Sequence, residues 1–158
     1  MGKQIQYVKG DATKPTGTGT KIIVHVCNDI GAWGKGFVLA LSARWPLPEK
    51  AYREWFAKSD NFTLGQVQFV QVEKDIYVAN LIGQRDIVPD ANGQPPIRYK
   101  AVEEGLEKIA LTAAKKNASI HMPRIGCGLA GGQWRLIEPL IKQKLINKNI
   151  SVIVYDFS

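Results

Sequence analysis

The chain is poor in the residues that staple, span or chelate. Its 158 residues include only two cysteines, Cys27 and Cys127, and neither belongs to a CxxC pair. A disulfide framework or a zinc site is therefore disfavoured, no metal or cofactor is expected, and both thiols read as small buried side chains. No apolar run approaches the ~20 residues that cross a bilayer. The opening Met1-Gly2-Lys3-Gln4 has no apolar signal-peptide core, so the expectation is a cytoplasmic protein with no membrane partner. Long runs of one charge are missing too. Net charge is +7, yet no basic run exceeds Lys115-Lys116. A basic balance favours anionic partners. Charge this scattered reads as a solvated surface and makes nucleic acid the less favoured one. Repeats, low-complexity tracts and linkers are also absent. The length suits one domain, 1–158, with little room for two.

What is present is an alternation of strand and helix patterns. Gln4–Lys9 alternates as a first strand and ends at Gly10-Asp11-Ala12-Thr13. Thr16–Thr20 is a turn of small residues. Lys21–Cys27 is a near-continuous apolar strand, as in a sheet covered on both faces. Phe37–Arg44 predicts a short helix ended by Pro46, and Pro48 starts the next, with Tyr52, Trp55 and Phe56 toward the core. Val67–Glu73 and Ile76–Ile82 predict two strands around a Lys74-Asp75 turn. Gln84–Arg98 is a loop with three prolines, long enough to draw functional attention. Tyr99–Lys116 is the clearest amphipathic helix, with Val102, Leu106, Ile109 and Ala113 on one stripe. Ser119–Ile125 predicts a strand, Trp134–Leu145 a helix with a bend at Pro139, and Ser151–Asp156 a closing strand. The sum is an α/β protein with one mixed sheet between helical layers.

Two stretches share one layout. In the first, Ile22-Ile23-Val24 runs through His25-Val26-Cys27-Asn28 into Asp29-Ile30-Gly31-Ala32-Trp33-Gly34-Lys35-Gly36-Phe37, and a helix follows. In the second, Met122-Pro123-Arg124-Ile125 leads into Gly126-Cys127-Gly128-Leu129-Ala130-Gly131-Gly132 and again a helix. Strand, glycine loop and helix start is the layout of an anion cradle, because glycine admits close backbone approach and the helix start offers free N–H groups. Two such loops imply a ligand with two phosphates, gripped from both sides. Gly34-Lys35 is followed by Gly36 and not by Ser or Thr, so this is no Walker A loop and ATP hydrolysis is disfavoured.

Together with Tyr7-Val8-Lys9-Gly10-Asp11, these stretches resemble the macro domain family of ADP-ribose-binding modules. The likeness runs from Ile5 to Tyr155. It is closest to the subgroup of yeast-type ADP-ribose 1''-phosphate phosphatases and terminal ADP-ribose protein glycohydrolases. The resemblance implies a three-layer α/β/α fold. It also implies adenine contact at Asp11, ligand contact at Ala12, distal-ribose contact at Asn28, and a clamp on the diphosphate and distal ribose from Trp33, Gly34, Lys35, Gly36 and Phe37 on one side. Gly126, Cys127, Gly128, Leu129 and Ala130 would form the other side, with Tyr155 and Asp156 near adenine. By residue type alone, Asp11 and Asn28 also suit turns at strand ends. His25 has two readings of equal weight, a catalytic group in the phosphatase manner or a satisfied core histidine.

Two departures bear on chemistry. Where the glycohydrolase has a lysine that attacks the sugar, Leu81-Ile82-Gly83 is followed by Gln84, with Arg85 next to it. Where it has an aspartate after Gly-Cys-Gly-Leu, this chain has Ala130. An amide cannot form the lysine adduct. Asp86 and Asp90 are spare carboxylates of the long loop, which would close over the distal ribose with Tyr99 beneath. The expected partner is ADP-ribose or a derivative, free or protein-linked. The expected activity is phosphate removal from ADP-ribose 1''-phosphate. The alternatives are a reader without chemistry and an ADP-ribosyl-ester or O-acyl-ADP-ribose hydrolase using a bound water.

Overall fold

A computed structural model describes residues 3–157. Among these, one sheet contains β1 (Gln6–Lys9), β2 (Lys21–Asn28), β3 (Val67–Glu73), β4 (Ile76–Gln84), β5 (Ser119–Met122) and β6 (Val152–Asp156). Its order is β1-β6-β5-β2-β4-β3. All neighbouring pairs are parallel except β3 and β4. The strands β1, β2, β4, β5 and β6 therefore all begin at one end of the sheet and finish at the other.

The period-2 alternation of β2 feeds two cores. Ile22 and Val24 pack with α3 (Tyr99–Lys116) and α4 (Trp134–Lys144), among Leu106, Ile109, Ile137 and Ile141. Ile23 and Cys27 face the opposite way, toward α1 (Phe37–Arg44) and α2 (Leu47–Lys58), with Leu41, Trp45 and Tyr52. The sheet thus lies between helical layers in the three-layer α/β/α arrangement. Pro48 sits in the first turn of α2, where its missing N–H costs nothing. Ser59 and Asn117 take left-handed φ values at the ends of α2 and α3.

Some bounds differ from expectation. The strand predicted over Ser119–Ile125 stops at Met122 because Pro123 has no N–H to offer a ladder. The first strand is shorter than Gln4–Lys9 and is exposed throughout, being a sheet edge. The segment predicted as a loop from Gln84 is not structureless. Gln84 belongs to β4 and bridges Ile97, Arg85 N–H donates to the Pro96 carbonyl, and Asp90 N–H to Gln94. The helix α4 runs on through Pro139.

Candidate ligand-binding site

A cavity of about 400 Å³ opens where β2 and β4 end, the place where open α/β sheets bind ligands. Its wall comes from the first glycine loop (Asn28, Ala32, Trp33, Gly34, Lys35), from Val26, Cys27 and Val38 beside it, from Gln84, Ile87 and Val88 of the long loop, and from Leu129 of the second glycine loop. Leu129 reaches toward Gly36, where an added Cβ would lie 3.9 Å from its Cδ1. The two loops meet there.

The first loop is shaped by one buried amide. Asn28 Oδ1 accepts from the N–H groups of Ile30 (3.1 Å) and Ala32 (3.0 Å), and Nδ2 donates to the Ala32 carbonyl at 2.7 Å. The fully buried Tyr52 hydroxyl stands 2.6 Å from the Asn28 carbonyl and 2.9 Å from Oδ1, so its single proton serves Asn28 either way. Burial pushes this phenol well above its usual range, and it remains a donor. The helix α2 also supplies Arg53, whose guanidinium donates to the carbonyls of Gly31 and Trp33 and pairs with Glu49. Glu49 accepts from Ser42, which accepts from the Trp33 indole. The ring closes on the loop it holds. Sequence reading placed Tyr52 in the core and did not single out Arg53, Glu49 or Ser42, because their role depends on α2 folding back under the loop.

The second loop is anchored by Arg124. Its guanidinium makes a two-pronged pair with Asp156 (2.7 and 3.0 Å) and lies 5.1 Å from the Tyr7 ring and 5.2 Å from Trp134. The bonds to Asp156 raise the Arg124 pKa and lower that of the carboxyl. Tyr7 donates to Glu138 and accepts from the Trp134 indole. Downstream, the Gln133 N–H donates to the Tyr99 hydroxyl.

Of the residues singled out in the sequence, the cavity gathers Asn28, Trp33, Gly34, Lys35 and Leu129. Asp11, Ala12, Gly36, Phe37, Gly126, Cys127, Gly128 and Ala130 stand outside its lining. Asp11 Oδ1 accepts from the N–H and hydroxyl of Thr13, a local turn. Tyr155 is interior: its hydroxyl meets His121 Nδ1 at 2.7 Å and accepts from Thr16 N–H.

His25 also lies behind the lining. It is 2% exposed, its Nε2 is paired with Asn80 Oδ1, and its ring meets the Trp33 ring edge to face. Asn80 Nδ2 donates to Gln68 and to the Pro48 carbonyl. Asn80 Oδ1 is thus the acceptor, and His25 Nε2 carries the proton. Burial lowers the His25 pKa to about 4, so the ring is neutral near pH 7. Burial likewise pushes the Cys27 thiol far above its usual range. Gln84 is in the lining, and its amide donates to the Asp86 carbonyl. Asp86 N–H donates to Asp29 Oδ1 at 2.7 Å, which joins the long loop to the first glycine loop. Among the described residues, no three His, Cys, Asp or Glu side chains stand close enough together to hold a metal ion. No helix there is long and apolar enough to cross a membrane.

No family model matches the chain. Among solved structures, a Streptomyces coelicolor macrodomain protein is 52% identical, with 98% of this chain and 100% of that one covered and a TM-score of 0.87. The chain belongs to the macrodomain family. A Bacteroides thetaiotaomicron protein of unknown function is 60% identical over 98% of both chains, with a TM-score of 0.97. Among curated proteins, the macrodomain is 36% identical to mouse chromodomain-helicase-DNA-binding protein 1-like. That match covers 97% of this chain, which spans only 18% of the mouse protein's length. The ADP-ribose 1''-phosphate phosphatase of Lodderomyces elongisporus is 26% identical, with 96% of this chain and 99% of that protein covered.

Proposed function

We propose that this macrodomain binds ADP-ribose and its derivatives, free or protein-linked, in the cavity between its glycine loops. The observation that carries the reading is the cavity itself, framed by Asn28, Gly34 and Lys35 and met by Leu129 from the opposite loop. Backbone N–H groups of glycine loops suit a diphosphate, Lys35 adds a cation, and the second Nδ2 hydrogen of Asn28 and the amide of Gln84 suit ribose hydroxyls. Release of the terminal phosphate from ADP-ribose 1''-phosphate is the activity we infer, by analogy with the fungal relative that carries that name over nearly its whole length. In this reading His25 holds β2 to β4 and does not touch substrate. The attacking group is a water, and Lys35 with the loop N–H groups offsets the charge that develops on phosphate. A second reading, a reader without chemistry, is favoured by a lining that offers neither an ionised thiol nor a histidine. The two free cysteines fit a reducing, cytoplasmic setting.

Calorimetric titration with ADP-ribose, ADP and AMP tests the binding, and incubation with ADP-ribose 1''-phosphate tests the chemistry. ADP-ribose is expected to bind more tightly than ADP, with phosphate released from the 1''-phosphate. Binding without release selects the reader. No binding removes the reading. Gly34→Val sharpens the test. An added Cβ at Gly34 meets no atom within 4 Å, yet the residue lines the cavity. The melting temperature should hold while ADP-ribose affinity falls at least about tenfold, since the new methyls take the ligand's volume.

A further inference from the structure

The lysines that look scattered along the chain are gathered by the sheet. Five parallel strands begin at one end, and a lysine stands at the entry of each. Lys3 precedes β1, Lys21 opens β2, Lys74 lies in the turn before β4, Lys115 and Lys116 end α3 before β5, and Lys148 lies in the 3-10 helix before β6. These entries span four inter-strand spacings, about 19 Å at ~4.8 Å each. A second cavity, of about 250 Å³, opens in the row. Lys3 and Lys148 line it with the hydroxyl residues Thr18, Thr20, Ser119 and Ser151. It faces away from the ligand cavity, which lies at the strand exits.

Helix carbonyls account for lysines in a last turn, as at Lys115, Lys116 and Lys148. They do not account for Lys3 or Lys74, which stand at strand entries; Lys21 is buried with its ammonium on the Gly19 carbonyl and is not one of the docking charges. Glu73 and Asp75 are acids of this end. Glu73 is held by Arg44 and the Trp45 indole. Lys144 is matched by Glu103 and Glu107 on α3. The row itself has Asp75 as its one acid without such a partner among the described residues.

We infer that this strand-entry face docks on the phosphate backbone of duplex nucleic acid. The chemistry favours a duplex over a single strand. Single strands are held by stacking on exposed aromatic rings, but no aromatic residue lines the second cavity, and the Tyr77 ring is capped by the Lys116 ammonium at 4.3 Å. The charges are ammonium groups and not guanidinium forks, which contact phosphates without reading base edges. A row of about 19 Å spans roughly six base pairs at ~3.4 Å each. The surface is independent of the ADP-ribose reading.

The test is fluorescence anisotropy of the full chain with a labelled, arbitrary-sequence 20-base-pair duplex between 50 and 200 mM salt. With four or five phosphate contacts the slope of log K against log salt is expected near about −4. Replacing Lys3, Lys74 and Lys148 together by Ala should bring it to about −1.5, with ADP-ribose affinity unchanged. These side chains are exposed and outside the ligand cavity. The corresponding triple Arg variant keeps the charge and should keep the slope, which separates charge from any loss of folding. Saturating ADP-ribose should leave duplex affinity unaltered. The inference is overturned by no binding at 50 mM salt, by a slope that the Ala variant leaves unchanged, or by displacement with ADP-ribose. Tighter binding to a single strand of equal length or to phosphatidylserine vesicles overturns it as well.

Discussion

Lowering the pH from 7.5 to 5 should cost the fold about 4 kcal/mol at most, because His25 and His121 are buried in their neutral forms. Both are held at a pKa of about 4, His25 by burial and His121 by burial and the nearby Lys21 ammonium. An unfolded histidine titrates near 6.5. Between these values the unfolded chain takes up protons that the folded chain refuses, so stability falls as pH falls. The contribution is fully present above about 6.5 and gone at about 4. Each ring contributes about 1.4 kcal/mol per pH unit, over about 1.5 units down to pH 5. The paired carboxyls of Asp156 and Glu138 have lowered pKa values, and the carboxylate range lies below about pH 5, so they add little in this window. Urea melts at several pH values measure the effect. His25→Gln, which keeps an N–H donor for Asn80, should remove about half of the slope. Equal stability at pH 7.5 and 5 would mean that one or both rings are reached by water in solution.

His25 also shows where sequence reading stops. The strand around it is legible as buried on both faces, and both readings of the histidine fit that pattern. What favours the core reading is that β2 turns His25, with Ile23 and Cys27, toward α2, where Asn80 of the neighbouring strand meets it. That pairing is between residues 55 apart, and local pattern carries no sign of it. The α1 and α3 spans were readable to the residue, since periodicity and flanking proline or asparagine mark them locally. Sheet order was not, and with it the lysine row was hidden. Lys3 and Lys148 are far apart in sequence and line one cavity only because β1 and β6 are parallel neighbours. The glycine loops were legible as loops. Their inner support was not, because Tyr52 and Arg53 act from a different element. The apolar side of the cavity, Ile87 and Val88, lies in the long proline-containing loop that the sequence marked for its length alone.

Gly132→Ala should cripple the second loop, and with it ligand binding. An added Cβ at Gly132 would lie 2.4 Å from the Gly126 carbonyl oxygen. That oxygen is main chain and accepts the Gly132 N–H at 2.7 Å, so it cannot swing aside like a side-chain end. Moving it moves Gly126, whose φ of +72° suits glycine and whose own Cβ position is filled by Ile97 Cδ1 at 2.5 Å. Ile97 and Ile137 behind it are buried in the larger core. The loop therefore closes on itself against a core that leaves it no room. Forcing a methyl into such packing costs about 1–3 kcal/mol, and losing the closing hydrogen bond with its buried groups adds about 1–3 more. ADP-ribose affinity should drop about a hundredfold or more, the weight of about 3 kcal/mol, while the first loop, held by Asn28 and α2, keeps its shape. Gly128→Ala is the matched control, since a Cβ there meets nothing within 4 Å. Urea melts and calorimetry on both variants read the two effects separately. If Gly132→Ala melts and binds as the parent does, the loop has slack, and the rigid second wall ascribed to the cavity is wrong.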